Sequence, residues 1–334
     1  MTQADVKESA REIFRGAPEL DRHLALFDRA GVDMRYFAFP KSYYLDGKPF
    51  GRRNDDYIRV GQTLGEEAVR RALLAANLEP RDVDMFLFTT TTGLATPSLD
   101  ALLAPRLGFR LDVRRIPLFG LGCAGGAGIL ALAADHLRHR PDGVAVALSV
   151  ELCSLTLLIH EATVTNLVGV ALFGDGAGAA VLTGGNRSST GPAVAAAETA
   201  LFPESSHLMG WRFSEAGFGL ELSPAVPAFV AEELPSRVRE FLGRHGQSPE
   251  SIRHFALHPG GRQVLEAYRR GFGLSAEALA PTREALRKVG NLSSASVFFS
   301  LQEVMDTAHP QAGDTGFLAA LGPGFAAEMM LLRW

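Results

Sequence analysis

Cysteine, tryptophan and tyrosine are scarce in this chain, which contains two, two and five of them among 334 residues. The two cysteines, Cys123 and Cys153, are too few for a disulfide-stapled scaffold or a cysteine-rich zinc module. No run of about 18 apolar residues occurs, so the sequence predicts no membrane-spanning helix. The polar start MTQADVKESAREIF also lacks the apolar segment of a signal peptide.

An excess of charge of one sign is also absent. The chain has 33 basic and 37 acidic residues, a net charge of −4, which excludes nucleic-acid binding by bulk electrostatics. Hydrophobic residues make up 47% of the sequence and charged residues 21%, enough apolar side chains to fill the core of one large domain or of two halves. This composition is typical of a globular enzyme, and we expect a cytoplasmic one.

Strand-like and helix-like segments alternate along the chain, which predicts an α/β architecture. Residues 31–58 resemble a loop, and the Gly-, Ser-, Asn- and Pro-rich stretch 185–195 resembles a linker. Helices are predicted over 3–30 with a break at 16–18, and over 59–77, 98–107 and 123–139. Strands are predicted over 83–88, 113–119 and 144–150, and within 173–184.

The second half of the chain repeats the pattern of the first. VDMFLF and IRHFAL, each preceded by a helix and a Pro-containing turn, lie 169 positions apart, and GCAGGA at 122–127 and GNLSSA at 290–295 lie 168 apart. We therefore predict an internal duplication, with an N-terminal half over 1–190 and a C-terminal half over 191–334. Equivalent loops of two such halves would surround one shared central site.

Cys123 is the first candidate for catalysis. It follows a strand and the Gly-rich turn LFGLG and opens a predicted helix. Unpaired N–H groups and the partial positive charge of a helix N-terminus stabilise a thiolate and lower its pKa. The alternative is that Cys123 is a small buried hydrophobic residue, as most free cysteines are. Cys153, within ELCSLTLL, is expected to serve packing or to line a pocket.

His258 and Asn291 are the second and third candidates. His258 ends a strand and starts the turn HPGG, at the strand end where α/β proteins usually form their sites. The duplication makes His258 the counterpart of Thr89, and Asn291 the counterpart of Cys123. Taken alone, His258 fits a hydrogen-bonded structural histidine and Asn291 a helix N-cap. Taken together, the three residues are predicted to face one cavity.

This combination suits decarboxylative carbon–carbon bond formation. A cysteine thiolate attacks a thioester and holds an acyl group. Histidine and asparagine donate hydrogen bonds to the enolate that forms when a malonyl thioester loses CO₂. A papain-like Cys-His-Asn protease fits less well, because Cys123 lies mid-chain and its neighbours differ from that signature.

Five ordered motifs resemble those of the type III polyketide synthases, the chalcone-synthase-like branch of the thiolase fold, and the resemblance covers nearly the whole chain. It implies an internally duplicated α/β fold with αβαβα layers. It also implies that Cys123 carries the acyl group and that His258 and Asn291 promote decarboxylation, with His258 helping to keep Cys123 ionised. The motifs are GLGCAGG (120–126), ALFGDGA (171–177), HPGG (258–261), GNLSSAS (290–296) and GPGF (322–325).

The resemblance also implies substrate-binding residues. Phe173 falls at the family's gatekeeper phenylalanine, and Leu220 at a second gatekeeper position that is usually aromatic, which suggests a more open path for alkyl starters. Arg29 and Arg35 fall roughly where the family contacts CoA phosphates, although either equally fits a solvated charged face. Further lining residues implied by the resemblance are Thr91, Thr156, Ser293, Gly260 and Gly261.

Within the family, TTTTGLATPSLD, PLFGLGCAGGAG and VELCSLT look most similar to bacterial alkylpyrone and alkylresorcinol synthases. The implied substrates are a medium- or long-chain acyl-CoA and malonyl-CoA, and the implied product is a tri- or tetraketide α-pyrone. A homodimer is implied, with the loop around Thr96 near the partner's cavity; no metal, redox cofactor or acyl carrier protein is expected. The chain departs from the family in starting on a helix and in having Leu321 before Gly-Pro-Gly.

Two other interpretations remain open. A single-condensation ketoacyl-ACP synthase of the initiating type would use the same chemistry, but the GDGAGAA and GPGF segments favour the iterative enzyme. A non-catalytic binding protein with a thiolase-like fold is expected to have lost at least one of Cys123, His258 and Asn291. All three are present.

Overall fold

The computed structural model describes residues 1–334, which form twelve α-helices and ten β-strands. The helices are α1 (Gln3–Ile13), α2 (Leu20–Leu24), α3 (Lys41–Leu45), α4 (Phe50–Ala75), α5 (Leu99–Leu107), α6 (Gly125–Arg138), α7 (Val164–Leu172), α8 (Val226–Glu232), α9 (Leu234–Arg244), α10 (Arg262–Phe272), α11 (Ala280–Val289) and α12 (Ser296–Glu303). The strands are β1 (Met85–Thr90), β2 (Arg114–Phe119), β3 (Val144–Leu152), β4 (Asp175–Thr183), β5 (Ala193–Leu201), β6 (Met209–Ser214), β7 (Gly217–Leu222), β8 (His254–Leu257), β9 (Thr315–Gly322) and β10 (Ala326–Arg333).

Two four-stranded sheets share the arrangement of three of their strands, β1-β3-β4 in the first and β8-β9-β10 in the second. Their strand orders are β2-β1-β3-β4 and β5-β10-β9-β8, and β6 and β7 form a separate hairpin. In the first sheet β3 lies parallel to β1 and antiparallel to β4; in the second β9 lies parallel to β8 and antiparallel to β10. The predicted α/β class and internal repeat are therefore confirmed. Strand β5 extends the second sheet beyond β10, and no strand occupies the corresponding edge of β4.

The elements stack in five layers, as expected. Helices α6 and α12 lie between the sheets and contact strands of both, and their apolar residues form the central core. Helices α4 and α5 cover the outer face of the first sheet over a second core. Helices α8 to α11 cover the outer face of the second sheet over a third core, which also includes α1. Whatever lies at the start of α6 and α12 therefore lies at the centre of the molecule.

The repeat differs from its predicted alignment at the central site. Pro80 and Pro249 each begin a 3₁₀ turn, as their spacing of 169 predicts. However, the 3₁₀ turn Gly122–Ala124 before α6 corresponds to the turn Ser293–Ala295 before α12. Ser294, and not Asn291, is therefore the counterpart of Cys123. The predicted pairing was wrong by three residues, because Asn291 lies before the turn, in a β-bridge to Phe173.

The predicted loop over 31–58 was wrong in two parts, because α3 spans Lys41–Leu45 and α4 begins at Phe50 and not at residue 59. Two of the aromatic residues that suggested a loop pack into the structure: Tyr57 is 1% exposed, and the half-buried ring of Phe50 lies 5.5 Å from that of Phe218. Near the N-terminus, the predicted break at 16–18 separates α1 from α2 and the 3₁₀ turn Phe27–Arg29.

Glycine at the start of α6 allows a close approach to the turn before α12. A Cβ placed on Gly126 would lie 2.0 Å from the carbonyl oxygen of Ser294, and one placed on Gly125 would lie 2.5 Å from Thr89 Oγ1. Because backbone atoms do not yield as flexible side chains do, any larger residue at position 126 would push the two central helices apart.

We expect Gly126→Ala to lower the free energy of unfolding by about 1–3 kcal/mol, because the added methyl group overpacks a rigid contact. The matched control is Gly243→Ala in α9, where an added Cβ has no neighbour within 4 Å. Alanine there should raise stability by up to about 1 kcal/mol through helix propensity. Urea unfolding of both variants checks the contrast, and equal shifts of the two midpoints would contradict the packing argument.

Candidate active site

Cys123 lies in the turn directly before α6 and is 8% exposed. The preceding Gly122 has φ +51°, and a Cβ there would lie 2.4 Å from Pro323, so the turn requires glycine. This contact also shows why the GPGF motif matters, since its proline supports the turn. The first N–H groups of α6 lack partners within the helix and place a partial positive charge beside the thiol.

Asn291 and Ser293 meet Cys123 from the other half of the chain. Ser293 Oγ lies 3.5 Å from Cys123 Sγ, and its φ of +50° is unusual for a residue other than glycine. The Ser293 N–H donates to Asn291 Oδ1 at 2.8 Å, and Ser296 Oγ donates to the same oxygen at 3.3 Å. Both contacts occupy the amide oxygen of Asn291, which leaves its NH₂ group to donate to a ligand.

His258 follows β8 at the same end of the second sheet. Its N–H donates to the Ala319 carbonyl of β9 at 2.8 Å, and further along β9 a Cβ on Gly322 would lie 2.2 Å from the Leu121 carbonyl, beside the Cys123 turn. His258 is 4% exposed, and its Nδ1 has no hydrogen-bond partner. Burial lowers the pKa of His258 to about 4, so the imidazole is neutral at pH 7.

The thiol of Cys123 does not show the lowered pKa expected at a helix N-terminus. Burial raises the pKa of Cys123 to about 12, and the buried carboxyl of Glu151 adds to this effect. The expectation was wrong because removal from water penalises the thiolate. Burial thus disfavours the charged form of Cys123 and of His258 alike.

Glu151 is a buried carboxyl that the sequence analysis missed. It lies in β3, and burial raises its pKa to about 7. It accepts hydrogen bonds from Thr92 Oγ1 at 2.7 Å, from the Thr91 N–H at 3.1 Å and from Ser294 Oγ. It therefore ties the loop after β1 to the turn before α12. The available signal was a single carboxylate within the apolar strand VAVALSVEL.

The expected substrate-binding residues Phe173, Leu220 and Thr156 line one pocket of about 720 Å³, its open mouth included. Cys153 lines it too, as the pocket-lining alternative predicted. Gly261, at φ +123° before α10, lies against the end of α7, where its Cβ would be 3.2 Å from Leu172. Gly260 joins Gly261 to His258, and its N–H donates to the His258 carbonyl at 2.9 Å.

Trp211 is a second lining residue that the sequence analysis missed. It is paired with Leu220 across the hairpin of β6 and β7, and both line the pocket. Its indole N–H donates to Thr91 Oγ1 at 2.9 Å, which joins the expected residue Thr91 to the pocket wall. Side chains of a β-strand alternate between the two faces of the sheet. Counting outward from the turn at Glu215 would therefore have placed Trp211 and Leu220 on the same face of the hairpin.

The two expected CoA contacts, Arg29 and Arg35, lie in different environments. Arg29 is exposed at the end of its 3₁₀ turn and forms no ion pair within the chain. Arg35 is completely buried, and its Nη1 donates to the carbonyl oxygens of Val170 at 2.7 Å and Phe173 at 3.2 Å. A phosphate cannot reach such a guanidinium, so that expectation was wrong for Arg35. The side chain turns inwards because the end of α7 presents unpaired carbonyl groups.

Two family models match the chain: "Chalcone and stilbene synthases, N-terminal domain" over residues 50–186 and the corresponding C-terminal domain over residues 193–334. The chain belongs to this family, the type III polyketide synthases. It is 45% identical over 322 residues, 95% of this chain and 85% of the relative, to a 1,3,6,8-tetrahydroxynaphthalene synthase of Streptomyces peucetius subsp. caesius. It is 35% identical to a putative chalcone synthase of Bacillus subtilis (strain 168), covering 100% of this chain and 95% of the relative.

The crystal structure of 1,3,6,8-tetrahydroxynaphthalene synthase from Streptomyces coelicolor A3(2) superposes with a TM-score of 0.96 at 30% identity, covering 100% of this chain and 95% of that one. This confirms the thiolase-like fold. The protein is therefore an acyltransferase of the type III polyketide synthase family, whose members use acyl-CoA and malonyl-CoA. None of its helices is long and apolar enough to cross a membrane.

If His258 accepts the thiol proton, its loss should make Cys123 harder to ionise. We expect His258→Ala to move the pH profile of Cys123 alkylation by iodoacetamide to higher pH, since the thiolate loses its imidazolium partner. Mass spectrometry of the alkylated peptide measures this. Cys153→Ser, which removes the other thiol, should leave the profile unchanged, and an unmoved profile in His258→Ala would rule out the ion pair.

Proposed function

We propose that this type III polyketide synthase extends a medium- or long-chain acyl group, held on Cys123, with malonyl-CoA and releases tri- or tetraketide α-pyrones. The pocket bounded by Phe173 and Leu220 carries this proposal. Apolar residues of α1, α7 and the segment before α7 form most of one wall, beside the polar Ser9 and Asn166, so an alkyl chain would bury its surface there mainly against apolar groups. The apolar residues of that wall are Val6, Ala10, Ile13, Leu157 and Val170.

The site residues divide the chemistry between loading and extension. Cys123 Sγ attacks the acyl-CoA carbonyl, the bond to the CoA sulfur breaks, and His258 returns the thiol proton to the leaving CoA. Loss of CO₂ from malonyl-CoA leaves an enolate, whose oxygen accepts hydrogen bonds from His258 and from the free NH₂ group of Asn291. The enolate carbon then attacks the acyl thioester and releases Cys123, which takes back the lengthened chain from CoA.

Lactone closure completes the proposed cycle. The enol oxygen on the fifth carbon attacks the thioester carbonyl on the first carbon, a six-membered ring forms, and the thiol leaves. Because the donors are CoA thioesters, we place the reaction in the cytoplasm and expect no carrier protein as a partner.

A second candidate starts from malonyl-CoA alone and closes to an aromatic ring. It is favoured by the 45% identity to a tetrahydroxynaphthalene synthase. It is also favoured by Trp211, whose large indole lies beside Leu220 in the pocket wall and takes up space that a long starter would need.

Incubation of the purified protein with malonyl-CoA and acyl-CoAs of increasing length separates these candidates. Mass spectrometry of products should show the starter plus two or three ketide units minus water, with an optimum at an alkyl starter. A naphthalene product from malonyl-CoA alone would replace the first proposal with the second. Acylated Cys123 without an extended product would indicate a single-condensation enzyme that depends on a carrier protein. No acylation at all would indicate a non-catalytic protein.

We expect Leu220→Phe to shift the preferred starter to a shorter chain, because the larger ring narrows the pocket between Phe173 and Trp211. The relative kcat/KM across the starter series measures the shift. The matched control is Leu74→Phe on the surface of α4, where the side chain is 81% exposed and the profile should not change. An unchanged profile in Leu220→Phe would show that this side chain does not border the starter's path.

We also propose a homodimer formed through the free edge of β2. An edge strand exposes unpaired N–H and C=O groups, which a second copy satisfies across a twofold axis. Large apolar side chains surround this edge: Phe119 at its end is 48% exposed, and Leu132 on the adjacent α6 is 43% exposed. The loop bearing Thr96, also exposed, follows the neighbouring strand β1 and would lie near the partner.

Replacing Phe119 and Leu132 together by glutamate should convert the dimer into a monomer, because the buried face would then carry like charges on both copies. Sedimentation velocity at micromolar protein measures the change. Leu74→Glu, on the opposite side of the first sheet, should leave the dimer intact. A monomeric wild type, or a dimeric double variant, would exclude this interface.

A further inference from the structure

The carbonyl groups at the end of α7 form a junction, because they bind three other parts of the chain through hydrogen bonds. The last carbonyls of a helix have no partner within the helix and must find one elsewhere. Here four consecutive carbonyls, those of residues 170–173, each accept a hydrogen bond from another part of the chain. Arg35 Nη1 donates to the carbonyls of residues 170 and 173, Gln3 Nε2 to that of residue 171 at 3.0 Å, and the N–H of Asn291 to that of residue 172 at 2.9 Å.

Arg35 is a buried cation without an acidic partner. Its side chain has no exposed surface and forms no salt bridge; its Nη2 donates to Gln3 Oε1, and its Nε has no partner. The carbonyl dipoles at the negative end of α7 therefore balance the charge. Burial lowers the pKa of Arg35 to about 9, so the guanidinium remains charged at neutral pH. A buried charge held in this way depends on the exact position of the helix end.

The aliphatic stem of Arg35 also touches both glycines that flank the site. A Cβ on Gly174 would lie 3.2 Å from Arg35 Cβ, and one on Gly290 would lie 3.5 Å from it. Gly174 follows Phe173, and Gly290 precedes Asn291. The two segments are joined by the Gly174 N–H, which donates to the Asn291 carbonyl at 3.0 Å. Arg35 thus contacts both sides of the bridge between the gatekeeper position and the enolate-binding amide.

We propose that Arg35, braced by Gln3, is a positioning residue that sets where Phe173 and Asn291 lie relative to each other. Because Arg35 then supports both the pocket wall and the decarboxylation site, a change at Arg35 alters both starter selection and enolate formation. This role goes beyond the proposed function, because it applies whichever starter the enzyme accepts.

The test compares Arg35→Met, which keeps the stem but removes every donor, with Arg35→Lys, which keeps the charge. In Arg35→Met we expect malonyl-CoA decarboxylation to fall about 10- to 100-fold, the usual effect of a small misplacement at a reacting centre. Acylation of Cys123 should fall less than about threefold, because Asn291 is not required for that step. The starter profile should broaden, and Arg35→Lys should recover part of both effects.

Rates are normalised to the fraction of Cys123 that can be acylated, so that loss of folded protein does not count. Arg71→Met, at a guanidinium on α4 that is 79% exposed, is the matched control and should change neither quantity. Equal losses in acylation and decarboxylation with an unaltered starter profile would reduce Arg35 to a structural role and overturn the proposal. Wild-type behaviour of Arg35→Met would overturn it as well.

If Arg35→Met does not fold, Gln3→Ala and Arg35→Lys decide the question, since each weakens the junction while retaining a positive charge there. Both should lower the ratio of decarboxylation to acylation, and an unchanged ratio in both would overturn the proposal. Decarboxylation of malonyl-CoA is measured without any starter, so the role of Arg35 could still be judged if the alkylpyrone proposal failed.

Discussion

The structure depends on one contact, the approach of the start of α6 to the turn before α12. Glycine at position 126 lets the backbone of one half reach the Ser294 carbonyl of the other. That approach brings Ser293 to 3.5 Å from the Cys123 thiol, and it places the central helices side by side between two sheets. The candidate catalytic groups therefore come from two halves of the chain and meet at a tightly packed contact.

Burial at this contact has an electrostatic cost, because it disfavours the charged forms of the titratable groups there. Cys123, His258 and Glu151 are all nearly or fully removed from water. Burial shifts the pKa of each group in the direction that favours its neutral form. A neutral histidine and a neutral amide suit an enolate, because a strong acid nearby would quench it. The same burial disfavours the thiolate of Cys123, so in the proposed mechanism the thiol proton passes to His258 when the starter is loaded.

Local patterns were sufficient for much of the fold and for choosing the candidate catalytic residues. Strand and helix periodicity, the spacing of Pro80 and Pro249, and the glycines around Cys123 are determined by neighbours in sequence, and the structure agrees with them. Alignment of the repeat failed at Asn291 because an irregular bridge to Phe173 precedes the second turn. The start of α4 was predicted too late because Phe50 packs against Phe218, in a hairpin that lies more than 150 residues further along the chain.

Side chains whose role depends on distant partners separate what the sequence shows from what only the tertiary structure shows. The sequence by itself determined the fold class and the family, and it made Cys123, His258 and Asn291 the candidates for catalysis, because short motifs at strand and helix ends carry that information. Only the tertiary structure decided that Arg35 points into the core and that Trp211 lines the pocket. An arginine looks the same in sequence on the surface and in the interior, and its burial depends on the carbonyls of α7, more than 130 residues away.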